Sequence, residues 1–181
     1  MRDLITIIVP ILGVVGLLYT FWRSSWVGKQ EVGSDKMGRI AQNIADGAMA
    51  FLKAEYRVLS VFVLVVAVLL GATANANSSP LVALSFVLGA ICSALAGFIG
   101  MRVATKANVR TTNAARTSLG KALEVAFAGG SVMGMGVVGL GVVGLGTLFL
   151  IYGNMFGLDS QENVTKVITV LTGFSFGASS I

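Results

Sequence analysis

Carboxylates are the side chains best able to do chemistry in this sequence, and they are few and scattered. The chain contains eight of them: Asp3, Glu31, Asp35, Asp46, Glu55, Glu124, Asp159 and Glu162. Hydrolases and magnesium sites need several carboxylates around one ion, yet no D-x-D or D-x-x-x-D pair occurs. None lies in the middle of an apolar stretch, where a proton or ion pathway would need a charge. We therefore predict neither a catalytic residue nor a metal ligand in these 181 residues.

A glycine pattern that can hold phosphate groups, G-x-G-x-x-G, occurs at residues 134–139 and again at 139–144. It binds nucleotides only where a strand precedes it and a capped helix follows. Both copies lie inside a long apolar run, so we predict no cofactor-binding residue here. The chain also lacks histidine and has a single cysteine, Cys92. An internal disulfide and imidazole-dependent sites are therefore excluded.

The composition is that of an integral membrane protein. The mean hydropathy is +0.87, with 55% hydrophobic and only 12% charged residues, whereas charged residues make up about a quarter of soluble domains. Of the 13 Lys and Arg, all but two lie in residues 23–57 and 102–121. Both clusters flank apolar runs, which is the positive-inside pattern of membrane topology. We therefore expect the lipid bilayer, and no nucleic acid, as a partner.

Five apolar runs predict an all-α, polytopic transmembrane bundle that belongs to one integral-membrane domain and has its N-terminus outside. The predicted spans are residues 4–22, 43–72, 81–101, 122–152 and 164–181, and the predicted cytoplasmic loops are 23–42 and 102–121. An uncharged turn at 73–80 is expected on the outside. About 20 residues suffice to cross a bilayer, so the second and fourth helices should rise into the cytoplasm.

The fourth run is unusually rich in glycine, which costs roughly 1 kcal/mol relative to alanine in a helix interior. At about 100° per residue, two sets of four glycines project to opposite sides: Gly129, Gly136, Gly139 and Gly146 on one, and Gly130, Gly134, Gly141 and Gly144 on the other. Small residues let membrane helices approach closely. A generic packing face would account for one such seam. Two opposed seams favour an interior helix of a bundle with more spans than this chain supplies.

Four blocks of the sequence are long and distinctive: IADGAMAFLKAEYRVL at 44–59, GFIGMRVATKANVRTTNAAR at 97–116, KALEVAFAGGSVMGMGVVGLG at 121–141 and GFSFGASSI at 173–181. In this order they resemble the N-terminal part of the membrane-bound, ion-translocating inorganic pyrophosphatases. The resemblance implies the first five spans of a sixteen-span subunit, a homodimer, and a multi-pass location in the bacterial inner membrane. It also implies magnesium-dependent cleavage of pyrophosphate coupled to export of H⁺ or Na⁺, with K⁺ required in some members.

The resemblance places the residues that hold magnesium and pyrophosphate after the position that matches Ile181. It therefore carries no catalytic, cofactor-binding or metal-binding residue onto this chain, and the segment alone is expected to be inactive. The fifth span matches the first of the family's inner helices. Ser175, Ser179 and Ser180 are consequently the candidates for lining the ion path, with packing of small residues as the alternative role for them.

The fifth run also reaches the last residue without a cap or a polar tail, so we expect a longer protein. The rival hypothesis is a non-enzymatic ring- or channel-forming subunit that packs through the glycine-rich fourth helix. Such a subunit needs an essential carboxylate in the middle of a span, and no run here contains one.

Overall fold

The structure, a computed structural model, describes the backbone of residues 2–73 and 79–181 and the side chains of residues 6–73 and 79–181. Its regular elements in these ranges are five helices: α1 (Arg2–Gly28), α2 (Asp35–Ala72), α3 (Leu81–Ala115), α4 (Leu119–Phe156) and α5 (Gln161–Ser179). The polytopic helical bundle predicted from the sequence is confirmed. Most of the turn predicted at 73–80 lies outside the described residues, as does the side chain of Asp3.

Four of these helices are long and apolar enough to cross a membrane. They contain the stretches Thr6–Gly28, Asp35–Ala72, Leu81–Ala115 and Leu119–Phe156. The fifth helix, of 19 residues, is not among the four, because its first turns are polar and contain Glu162 and Lys166. The predicted span at 164–181 is helical as far as Ser179, and its crossing of the membrane stays a prediction.

The stretches predicted as cytoplasmic loops are largely helical continuations of the spans. α1 runs to Gly28 and α2 starts at Asp35, and only residues 116–118 separate α3 from α4. α2 and α4 have 38 residues each, about 57 Å at 1.5 Å per residue. Both helices therefore exceed the thickness of the hydrocarbon layer, as their sequences predict.

Local sequence explains where three of the helices begin. A serine hydroxyl accepts a hydrogen bond from the backbone N–H three residues further on, which satisfies a donor that a helix start leaves open. These serines are Ser34, Ser118 and Ser160, at 3.4, 3.2 and 3.2 Å. The turns before α2 and α5 each contain a glycine with positive φ, Gly33 at 94° and Gly157 at 77°. Glycine adopts that backbone conformation without a steric penalty.

The described chain divides into two compact units. Unit 1 comprises Met1–Val14, Tyr56–Leu95 and Gly139–Ile181. Its buried centre comes from α4 and α5 and consists of Leu148, Tyr152, Val167, Val170 and Phe174. Partly buried side chains of α3, such as Val82 and Leu88, pack against that centre.

Unit 2 comprises Val15–Glu55 and Ala96–Val138. Its buried centre is small, with Val27 of α1, Ala107 of α3 and Ala128 of α4 in mutual contact and Trp26 against them. Two alanines in this cluster keep α3 and α4 close together, because alanine adds little volume between two helices. Unit 1 is thus held by large apolar side chains, and unit 2 by a smaller cluster with two alanines.

Candidate functional site

The carboxylates lie apart from one another and on the surface. Glu31, Asp35, Asp46, Glu55, Glu124, Asp159 and Glu162 are all exposed. Within the described residues, no three His, Cys, Asp or Glu side chains come together in a way that could hold a metal ion. The residues present do not fit a magnesium site, which needs carboxylates converging on one ion.

The ion pair found among the described residues joins Lys166 and Glu162 on α5, with 2.8 Å between Nζ and Oε1. The hydrogen bond from Lys166, and then its positive charge, lower the pKa of the Glu162 carboxyl. Both groups lie one turn apart at the start of the helix. A negative charge there also suits the positive end of the helix dipole, so the pair supports the first turns of α5.

The three candidate serines lie near the end of α5. Ser175 and Ser179 are exposed and Ser180 is half-buried. Ser179 and Ser180 both donate to the carbonyl oxygen of Phe176, at 3.1 and 2.7 Å. Thr172 is exposed as well, so hydroxyl groups recur at positions 172, 175 and 179 along one side of the helix. In the described part of the chain Ser175 and Ser179 stay exposed, and other residues of α5 make its contacts.

Those contacts are made by glycines that the sequence reading did not single out. A Cβ atom at Gly173 would collide with the backbone of Val82, and one at Gly177 with the backbone of Phe86. In return, a Cβ atom at Gly89 of α3 would collide with the backbone of Phe174. We call these three residues the α3–α5 glycine seam. The signal for it was present as G-x-x-x-G spacing at positions 173 and 177, the pattern of closely packed membrane helices.

One of the two glycine seams predicted on α4 is occupied. A Cβ atom at Gly129 would lie 2.7 Å from Cβ of Ala107, and one at Gly136 would lie 3.5 Å from Cγ2 of Thr20. At Gly146 the nearest atom is Cδ of Pro10, at 3.2 Å. Gly13 of α1 likewise packs on the Gly139 carbonyl, since a Cβ atom there would be 3.1 Å from it. We call Gly129, Gly136, Gly139 and Gly146 the occupied seam of α4.

The opposite seam is mostly uncovered. Among the described residues, no atom outside the local turn of α4 lies within 4 Å of a Cβ placed at Gly130, Gly134 or Gly141. The fourth member, Gly144, packs against the ring of Phe174. A Cβ atom placed at Gly144 would lie 3.3 Å from Sγ of Cys92. We call Gly130, Gly134 and Gly141 the open seam. Contacts on both flanks of α4 were predicted, and the described residues provide them on one flank and at Gly144.

The basic cluster on α3 positions the connection between α1 and α2. The Arg110 guanidinium donates to the carbonyl oxygens of Gly28 and Gln30, at 3.1 and 3.0 Å. It also donates to Lys106 O at 2.8 Å, and Asn113 donates to Glu31 O at 3.3 Å. A cation that bonds the last carbonyls of a helix satisfies acceptors which the helix end leaves open. Arg110 is thus a structural residue.

Long apolar helices, glycine-mediated packing and scattered acids define this chain as part of a polytopic α-helical membrane protein with no acid cluster in its described part. The chain belongs to the inorganic H⁺ pyrophosphatase family, whose model matches residues 14–181. The resemblance noted in the sequence is therefore confirmed. The match leaves out only the first half of α1.

Three relatives show how far the similarity reaches. A Clostridium tetani protein, provisionally named a K⁺-stimulated pyrophosphate-energized sodium pump, is 50% identical over 93% of this chain and 23% of its own length. A K⁺-insensitive pyrophosphate-energized proton pump 2 of Moorella thermoacetica is 41% identical over 96% of this chain and 24% of its own. A K⁺-insensitive proton pump of Caldanaerobacter subterraneus is 36% identical over 97% and 25%. The chain spans about a quarter of the length of these relatives.

Proposed function

We propose that this chain is the N-terminal segment of a pyrophosphate-energised ion pump of the bacterial inner membrane. The pump hydrolyses pyrophosphate to two phosphates and exports H⁺ or Na⁺. The observation that carries the proposal is the 36–50% identity to three named pumps across more than nine tenths of the chain. Both ions stay in the proposal, because the relatives are named for sodium and for proton pumping.

The segment serves as scaffold in this proposal, and the chemistry belongs to residues after Ile181. All described carboxylates are exposed and apart, so magnesium would be bound by the rest of the pump. The exposed side of α5, with Thr172, Ser175 and Ser179, is the part of this chain that we assign to the ion path. Its hydroxyl groups can offer oxygen ligands or hydrogen bonds to a hydrated ion.

The open seam of α4 supports the same proposal. Three glycines that no described residue covers would each weaken the helix relative to alanine, and close contact with further helices would offset that cost. The relatives are about four times as long, which leaves chain enough for such helices. The ring-forming alternative would also cover the seam, but the named relatives favour the pump. We further propose a homodimer, and K⁺ as an activator in the sodium-pumping case.

Expression of the full coding sequence in membranes tests the proposal. Those membranes should hydrolyse pyrophosphate only with magnesium present, and inverted vesicles should accumulate either protons or sodium. Membranes that contain the 181-residue segment alone, checked for its insertion, should show neither activity. Hydrolysis by the segment alone would place the chemistry in this part of the chain, and inactive full-length membranes would contradict the pump itself.

A further inference from the structure

An arginine stands between two tryptophans near the end of α1. The Arg23 guanidinium carbon lies 4.7 Å from the centre of the Trp26 ring and 5.5 Å from that of Trp22. Both distances are within the range of cation–π attraction. The two rings sit one helical turn apart and hold the cation between them. Arg23 itself is half-buried, so part of the side chain remains reachable from outside.

This cation has no acceptor within the described residues at its buried nitrogen. Nε of Arg23 is shielded from solvent and has no hydrogen-bond partner there. The described carboxylates are exposed, and the ion pair that they do form is that of Glu162 with Lys166. Guanidinium offers five donors in a fork that matches phosphate and carboxylate oxygens. Because Nε is shielded, the terminal nitrogens of the guanidinium are the donors that an anion from outside the protein would meet.

The position of the site indicates which anion it meets. Trp22, Arg23 and Trp26 lie in the last part of the membrane stretch Thr6–Gly28, and tryptophan is enriched where lipid headgroups begin. On the side of α1 that carries the two tryptophans, the preceding turns expose large apolar side chains: Val15 is 55% exposed and Leu18 64%. A phospholipid matches both features. Its phosphate can pair with a cation at headgroup depth, and its acyl chain can lie against the apolar side chains.

We propose that Trp22, Arg23 and Trp26 form a binding site for the headgroup phosphate of an anionic phospholipid. Arg23 pairs with the phosphate, the two indole rings hold the guanidinium in place, and an acyl chain lies along Val15 and Leu18. This inference depends on membrane insertion and not on the pumping activity. A carboxylate from the part of the protein after Ile181 is the competing partner, and the test separates the two.

The test uses the full-length protein in detergent, with phosphatidylglycerol and phosphatidylcholine titrated in and bound lipid counted by native mass spectrometry. The wild-type protein should prefer phosphatidylglycerol. Arg23→Gln should weaken that binding about fivefold, the worth of one cation at a membrane surface. Arg102→Gln, an exposed cation without tryptophan neighbours, is the matched control and should leave binding unchanged. Added inorganic phosphate should not displace the lipid, because it lacks the acyl chain.

Equal phosphatidylglycerol binding by the wild type and Arg23→Gln would overturn the proposal. So would displacement by inorganic phosphate, an equal loss in Arg102→Gln, or the absence of any lipid preference in the wild type, the result expected of a carboxylate partner. Should Arg23→Gln fail to fold, Trp26→Leu keeps the charge and removes one ring. It should weaken binding about two- to fivefold, the range of an exposed cation–π contact. Unchanged binding in that variant would equally overturn the site.

Discussion

Glycine does opposite things in the α3–α5 glycine seam and in the open seam of α4. In the first, Gly89, Gly173 and Gly177 lie so close to backbone atoms of the facing helix that no side chain fits. In the second, none of the described residues comes within 4 Å of a Cβ placed at Gly130 or Gly134. The first seam is explained within this chain by close packing. For the second we infer a neighbour that the described residues do not include, since an uncovered glycine weakens its helix.

The largest effect on stability is expected in the α3–α5 glycine seam. Gly177→Ala places a methyl group against the Phe86 carbonyl, which cannot move without shifting the backbone of α3. Overpacking of this kind costs about 1–3 kcal/mol. We expect a clearly lower melting temperature for the full-length protein in detergent, and a lower yield. Gly120→Ala, at an exposed helix start with nothing within 4 Å, is the control and should be as stable as the wild type. Equal stability of the two variants would show that close packing at Gly177 does not contribute to stability.

A smaller effect on stability is expected at a buried hydrogen bond between α3 and α4. Ser85 is fully buried and Tyr152 is 2% exposed, and their hydroxyl groups lie 3.0 Å apart. Tyr152→Phe leaves the Ser85 hydroxyl without this partner, and losing one such hydrogen bond costs about 0.5–1.5 kcal/mol. The double variant with Ser85→Ala should recover part of the loss in melting temperature, because both polar groups are then gone. A double variant less stable than Tyr152→Phe would show that the two residues act separately.

The smallest effect is expected at the exposed start of α5. Lys166 lowers the pKa of Glu162 from its ordinary 4.5, so its support is present above that value and is lost as pH falls through the folded-state pKa. The pair is exposed, and such pairs contribute little. Glu162→Gln should therefore leave the melting temperature unchanged at pH 7, and no difference should emerge on acidification. A marked drop at pH 7 would mean that Glu162 is covered in the full protein.

Hydropathy and charge placement predicted most of the fold. Apolar runs separated by Lys and Arg clusters are a property of the local sequence, and α1 to α4 follow them. The two-sided arrangement of glycines on α4 also followed from helical geometry alone. Which side is occupied did not, because it depends on where Thr20 and Ala107 come to lie, far away in the sequence.

The close approach of α3 to Gly173 and Gly177 was missed for a related reason. Gly173 and Gly177 have the right spacing, but so do many glycines here, and only the approach of α3 makes these two irreplaceable. The candidate serines illustrate the same limit. The sequence predicted their position on α5. The exposure of Ser175 and Ser179 depends on the glycines beside them, which make the contacts with α3.

The account rests on the open seam of α4 being covered by the rest of a pyrophosphate-driven pump. The most direct measurement is magnesium-dependent pyrophosphate hydrolysis by the full-length protein with Gly134→Leu, compared with Val65→Leu on an exposed side of α2. We predict that Gly134→Leu loses most of its activity and melts at a lower temperature, because the added side chain meets a packed helix, and that Val65→Leu keeps both. Full activity and unchanged stability in Gly134→Leu would show that the seam faces lipid, and would contradict the account.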